Sequence, residues 1–186
     1  MYIFVFLFKT ASMKVFYRFI KKQLDALIYG LIGPFSVLYL FPQFCLSIEN
    51  HLGVDIPIIN WVKYIGIVIM NTGLFIALWS AFQMFLSKKQ NPSPFSLPKK
   101  VVKNGLFAIV RHPMMWSLYF VLLGQILIYH SPLIMIWFLL WLRFSYVYIA
   151  RYEEPYLISV LGKEYIDYCK ATPRWIPKVF SNNKRK

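Results

Sequence analysis

The sequence predicts an all-α membrane protein of about four transmembrane helices. The last two form a tight hairpin, an interfacial helix precedes the bundle and an amphipathic helix follows it. Three observations lead there. Hydrophobic residues make up 59% of the chain and charged residues only 15%, against about 25% charged in a water-soluble domain. The remaining charge is lopsided, with 21 Lys+Arg against 7 Asp+Glu and a net +14. Such a surplus fits a nucleic-acid binder or a membrane protein with basic cytoplasmic loops. The third observation decides between them: long apolar runs separate the basic clusters, which points to a lipid bilayer and away from nucleic acid. At 186 residues the chain makes a single integral membrane domain, 1–186.

The opening MYIFVFLF is apolar but far short of the roughly 20 residues a span needs. No basic stretch precedes it, so a cleaved signal peptide is not expected. Within segment 1–23, Lys14, Arg18 and Lys22 recur four apart, with Phe16, Tyr17 and Ile20 elsewhere on the turn. That spacing suits a helix lying in the interface; the alternative is a poorly ordered N-terminus. The first span covers residues 24–46, with Asp25 at its edge and Gly30, Gly33 and Pro34 inside. Residues 47–60 form a loop with two acids and no Lys or Arg, and a second span covers 61–86, uncharged after Lys63. A basic, proline-containing loop, 87–113, leads to a third span at 114–129. A turn at His130-Ser131-Pro132 joins it to a fourth at 133–150, too tightly for anything but an antiparallel hairpin.

Sidedness follows from the basic residues. Five Lys+Arg precede the first span, none lie in 47–60, six lie in 87–113, none in the hairpin turn and eight follow residue 150. The positive-inside rule therefore places both termini and the 87–113 loop in the cytoplasm.

Two polar clusters stand at that face. Arg111 and His112 immediately precede Pro113, which suits the first turn of a helix because its missing N–H would be unpaired there anyway. A helix start carries a positive dipole end and unpaired N–H groups, so this is an anion site; alternatively Arg111 snorkels to the headgroups. The second cluster, ARYEEPYL at 150–157, contains the adjacent acids Glu153 and Glu154. These either occupy a solvated helix start or, because the hairpin returns them to the same face, meet Arg111 and His112. Leu157, Leu161, Tyr165 and Tyr168 then mark one apolar stripe able to lie on the membrane and roof a cavity.

Other residues carry less. His51 and His130 read as interfacial, and Cys45 and Cys169 fit no zinc spacing, so no metal is expected. Arg143 points into the bundle or snorkels, while Asn71 and Gln125 suit interhelical hydrogen bonds.

The ordered set Lys99-Lys100-Val101-Val102, Asn104-Gly105-Leu106-Phe107, Arg111-His112-Pro113, Glu153-Glu154-Pro155, Gly162, Tyr165, Tyr168 and TPRWIP (172–177) resembles the isoprenylcysteine carboxyl methyltransferase family. These are integral membrane enzymes using S-adenosylmethionine and are related to the phospholipid methyltransferases. The resemblance covers about residues 70–177 and implies a cofactor-binding and catalytic region at 87–177. By position, the cofactor site would use Lys99, Lys100, Val101, Val102, Phe107, Arg111, His112, Pro113, Met114, Met115 and the pair Glu153 and Glu154, with Glu153 as the preferred carboxylate. Phe107 and Met115 replace usual tyrosines, Ser117 a common glycine and Leu161 a common phenylalanine. Members acting on prenylated proteins hold the substrate carboxylate with an arginine four residues before the Glu153 position. Here that residue is Ile149, and Arg151 is the nearest basic one.

The resemblance implies methyl transfer by direct displacement to a hydrophobic or lipid-like acceptor. That acceptor is a prenylcysteine-type carboxylate, or alternatively a phospholipid amine or a thiol. Arg151 and Glu153 are the catalytic candidates. Two rivals lie outside this chemistry. A sterol-reductase type would use NADPH and generally needs more spans. A non-enzymatic scaffold would bind anionic headgroups through its basic face.

Overall fold

The computed structural model describes residues 32–86, apart from 55 and 58, and residues 100–176. Every regular element among the described residues is helical, as the sequence predicts. Inside a bilayer the backbone has no water to bond, so an unclosed chain must satisfy its polar groups within helices.

The helices are α1 (Ile32–His51), α2 (Asn60–Leu86), the single turn α3 (Leu106–Ile109), α4 (Pro113–Tyr129), α5 (Pro132–Leu161) and α6 (Lys163–Ala171). α1, α5 and the Asn60–Met84 stretch of α2 are long and apolar enough to cross a membrane. The third expected span is present as α4, but its 17 residues reach only about 25 Å at 1.5 Å per residue. This apolar helix packs along most of α2. Glycines permit the approach: a Cβ on Gly124 would stand 2.7 Å from the Gly66 carbonyl oxygen, and one on Gly73 would stand 2.8 Å from that of Ser117. Apolar packing gains little over lipid contact, so close backbone approach of this kind carries helix association in membranes.

Four expectations are corrected. The first connecting loop does not begin at residue 47, because α1 continues to His51. Glu49 lies buried there and accepts hydrogen bonds from Ser131 Oγ and the Leu133 amide, both at 2.8 Å. It thus ties the end of α1 to the hairpin, where Ser131 also caps Ile134 N and Pro132 opens α5. Secondly, the stripe of Leu157, Leu161, Tyr165 and Tyr168 does not run along one helix. Gly162, at φ +59°, ends α5 and starts α6, a conformation that costs glycine nothing. Thirdly, Asn71 bonds back to Ile67 O of its own helix at 2.8 Å. Fourthly, Arg143 is exposed, so the inward alternative is set aside. Gln125 does bridge helices as expected, donating to Leu38 O at 2.8 Å. The expected interfacial helix within 1–23, together with Asp25, Gly30 and Lys99, lies outside the described residues.

α1 and α5 each contain one π-helical turn, Ser36–Leu40 and Ile149–Glu153. In α1 the carbonyls of Val37 and Leu38 within that turn accept from Trp137 Nε1 and Gln125 Nε2, and Phe41 stacks on Trp137 at 4.1 Å. The second turn lies at the site.

Candidate functional site

The start of α4 and the far end of α5 meet at one end of the bundle. Val110 is extended and buried, and the Arg111 amide donates to Pro173 O at 3.0 Å. Pro113 then opens α4 with His112 at its N-cap. The His112 side chain makes no capping bond, which leaves both ring nitrogens for the acids opposite. Its Nδ1 lies 3.7 Å from Glu153 Oε1 and its Nε2 lies 3.4 Å from Glu154 Oε1. The two clusters that the sequence separates by some forty residues are therefore in contact.

Glu154 is the hub. Its side chain is only 7% exposed, and it takes Arg111 Nη1 at 2.7 Å and Arg174 Nε at 2.9 Å on Oε1, with Arg174 Nη2 on Oε2. A buried carboxylate needs such pairing, since removing a charge from water is costly otherwise. The same fork raises the Arg174 pKa above the ordinary guanidinium value, the hydrogen bond to Glu154 being the main cause. Glu153 stands at the rim with a third of its side chain exposed. Arg111 also donates to Cys169 Sγ at 3.1 Å, while its buried Nε has no hydrogen-bond partner among the described residues.

Arg174 arrives on a strap, residues 172–176, that folds back over the hairpin. The Trp175 carbonyl accepts from Trp116 Nε1 at 2.9 Å, and its ring lies 6.2 Å from His112, 6.1 Å from Tyr119 and 6.0 Å from Tyr146. Beyond Trp175 an apolar cleft of about 310 Å³ runs between α4 and α5, walled by Trp116, Tyr119, Phe120, Leu142 and Tyr146 among others. A charged end and a greasy cleft thus share one indole.

α2 and α6 hold the remaining wall. Gln83 Oε1 accepts from the Leu106 amide at 3.1 Å, and Gly105, at φ +60°, leaves room for that side chain; a Cβ there would fall 1.6 Å from Gln83 Nε2. Tyr168 donates its hydroxyl to Phe107 O at 2.6 Å. Burial raises the phenol pKa of both Tyr165 and Tyr168.

Of the remaining sequence candidates, Val101, Val102, Met114 and Met115 are half-buried on the two stretches flanking α3, Pro113 is buried and Lys100 is exposed. Lys99 lies outside the described residues. Arg151 is exposed on the π-turn and takes no part in the ion pairs around Glu154. Sequence reasoning assigned Arg174 no role, although TPRW was visible as a motif. The available signal was a lone cation beside a tryptophan and between prolines.

An all-α membrane protein thus gathers two guanidiniums, an imidazole and two carboxylates at one end of its helices. The phospholipid methyltransferase family model matches residues 61–164, more than half of the chain, and the chain belongs to that family. The family is related to the isoprenylcysteine carboxyl methyltransferases, and its membership makes the chain a membrane methyltransferase in general kind. The match covers α2 through the start of α6, and so includes both polar clusters but ends before the strap. No curated protein and no solved structure matches the chain.

Proposed function

We propose that this protein transfers methyl from S-adenosylmethionine to a hydrophobic or lipid-like acceptor, as a multi-pass protein with both termini and the site on the cytoplasmic side. One observation carries the reading: His112 touches both Glu153 and Glu154, and Arg111 stands beside them with a buried donor that has no partner among the described residues. The donor set fits the methyl donor, whose amino-acid end carries both charge signs. Glu153, the half-buried carboxylate at the rim, would face its cationic side. Arg111, His112 and the helix start at Pro113-Met114-Met115 would face its carboxylate. Lys99, Lys100, Val101, Val102 and Phe107 would line the rest.

When bound, S-adenosylmethionine supplies an electrophilic sulfonium methyl for direct displacement. The chain's own part is to position the partners and to exclude water through the strap. Among the described residues, aromatic and aliphatic side chains wall the cleft beyond Trp175, with no carboxylate, imidazole, lysine or arginine, so it would seat the inert hydrocarbon part of the acceptor. A carboxylate acceptor is already ionised at pH 7 and needs no base. The position four residues before Glu153 is the fully buried Ile149, so Arg151, two residues further on in the sequence, would be the cation to steer such an acceptor. An amine acceptor would need to lose a proton, and the Glu153–His112 pair would take it. The family match favours this second reading, a phospholipid amine.

Protein purified in detergent should bind S-adenosylhomocysteine, and His112→Ala or Glu153→Gln should abolish that binding. Wild-type affinity in both variants would remove the assignment. Incubating membranes with methyl-labelled donor would then show whether label enters protein, phospholipid or a small thioether.

A further inference from the structure

We propose that Arg174, supplied by the strap, is a positioning residue whose task is to occupy Glu154 so that Arg111 remains available to an anionic ligand group. The inference rests on the reading that the cluster binds the carboxylate end of the methyl donor. Its starting point is an imbalance. One carboxylate, Glu154, faces two guanidiniums that engage it unequally.

Arg174 uses two nitrogens, Nε on Oε1 and Nη2 on Oε2, and so takes both oxygens in a fork. Arg111 uses one nitrogen, Nη1, on the oxygen that Arg174 Nε already occupies, and shares it with Cys169 Sγ. The fork is the stronger geometry for a guanidinium on a carboxylate, so Arg111 is the partner left unsatisfied. Its Nε is buried without a partner among the described residues, and an orphaned buried donor is unfavourable until something accepts from it.

The positions of the two arginines fit this division. Arg111 lies deeper, with 13% of its side chain exposed, and leads directly into the α4 start; Arg174 lies further out at 29%. Without the outer cation, Glu154 could turn both oxygens to Arg111 and take up the donor that the ligand needs. Arg174 therefore acts through Glu154 and need not touch the ligand.

The test is binding to full-length protein in detergent, with two probes. S-adenosylhomocysteine carries the amino-acid carboxylate and 5′-methylthioadenosine lacks it. Arg174→Gln should weaken the first at least about tenfold, the scale of one charge-assisted hydrogen bond, and the second less than about twofold. Adding Glu154→Gln to Arg174→Gln removes the competitor for Arg111 and should restore the first probe to within about threefold of wild type. Arg174→Lys keeps the counter-charge and should stay within the same threefold; it carries the test if Arg174→Gln does not fold.

Equal weakening of both probes, no recovery in the double variant, or a tenfold loss in folded Arg174→Lys would each overturn the proposal, leaving Arg174 as an anchor for the strap. Wild-type affinity in Arg174→Gln would overturn it as well. Failure of the wild-type protein to bind either probe would instead bring down the cofactor reading itself.

Discussion

Replacing Glu154 by glutamine keeps the shape of the side chain and removes its charge, which leaves Arg111 and Arg174 facing each other across a neutral amide. Each guanidinium–carboxylate pair, with charge centres about 4 Å apart, is worth roughly 4 kcal/mol at an effective dielectric near 20. The variant loses two such pairs but also avoids the burial of a carboxylate, itself several kcal/mol. Breaking a buried pair by removing one member costs about 3–5 kcal/mol. Arg174, with 29% of its side chain exposed, can turn toward water, which places the expected loss near the lower end, about 3 kcal/mol. That is more than a hundredfold in the unfolding equilibrium. The same molecule provides the control. Glu164 pairs with Lys103 at 3.2 Å, but the two side chains are 48% and 46% exposed, so Glu164→Gln should cost under about 1 kcal/mol. Unfolding in mixed micelles with rising dodecyl sulfate, followed by tryptophan fluorescence, measures both. A Glu154→Gln midpoint indistinguishable from that of Glu164→Gln would refute the account of Glu154 as a buried hub.

Three further outcomes follow from the packing. Gly124→Ala would put a Cβ 2.6 Å from Met70 Cβ and 2.8 Å from its backbone nitrogen, so the α2–α4 pair must separate; a loss of about 1–3 kcal/mol is expected in the same unfolding assay, and an unchanged midpoint would contradict the close approach. Glu49→Ala strips the acceptor from Ser131 Oγ and Leu133 N and should cost about 1–3 kcal/mol, read again from the midpoint, with stability equal to wild type as the contrary result. Leu123→Trp would fill the cleft it lines; methylation of a hydrophobic acceptor should fall about tenfold or more while S-adenosylhomocysteine affinity, measured by titration calorimetry, stays within about twofold. Equal loss of both would mean that the cleft is not a separate acceptor seat.

The helices were legible because apolar runs punctuated by proline and basic clusters have few other meanings. Pro113 and Pro132 open α4 and α5 as residues without an N–H to lose, and the two-residue gap between Tyr129 and Pro132 fixed the hairpin. The meeting of Arg111-His112 with Glu153-Glu154 was legible for the same reason, since a hairpin must return its exit to its entrance. Three features were not. Glu49 reads as a loop acid because nothing local reveals that its partners lie more than eighty residues away in sequence. Gly162 interrupts a stripe whose spacing alone is helical throughout. Arg174 belongs to a segment without periodicity, and its role depends on a fold-back that only tertiary contacts define.

The choice between the two glutamates shows most clearly what pattern reasoning misses. From Ser145 to the end of α5 the buried positions are Ser145, Ile149 and Glu154. The first step is four residues, the ordinary repeat of a helical face. The second is five, because the turn Ile149–Glu153 is π-helical. An uninterrupted α-helix would carry the four-residue step on to Glu153, the carboxylate that the family resemblance favours for the cofactor. The extra residue in the π-turn passes that place to Glu154 and leaves Glu153 at the rim, still within 3.7 Å of His112. Adjacent acids that a regular helix would splay by 100° are thereby given different work: one is closed off by guanidiniums, and the other stays open toward the imidazole. Single π-turns gather at functional sites in helices, and here the reason is concrete. A helix presents one residue to the core per turn, and the extra residue of the turn Ile149–Glu153 decides which of the two acids takes that place.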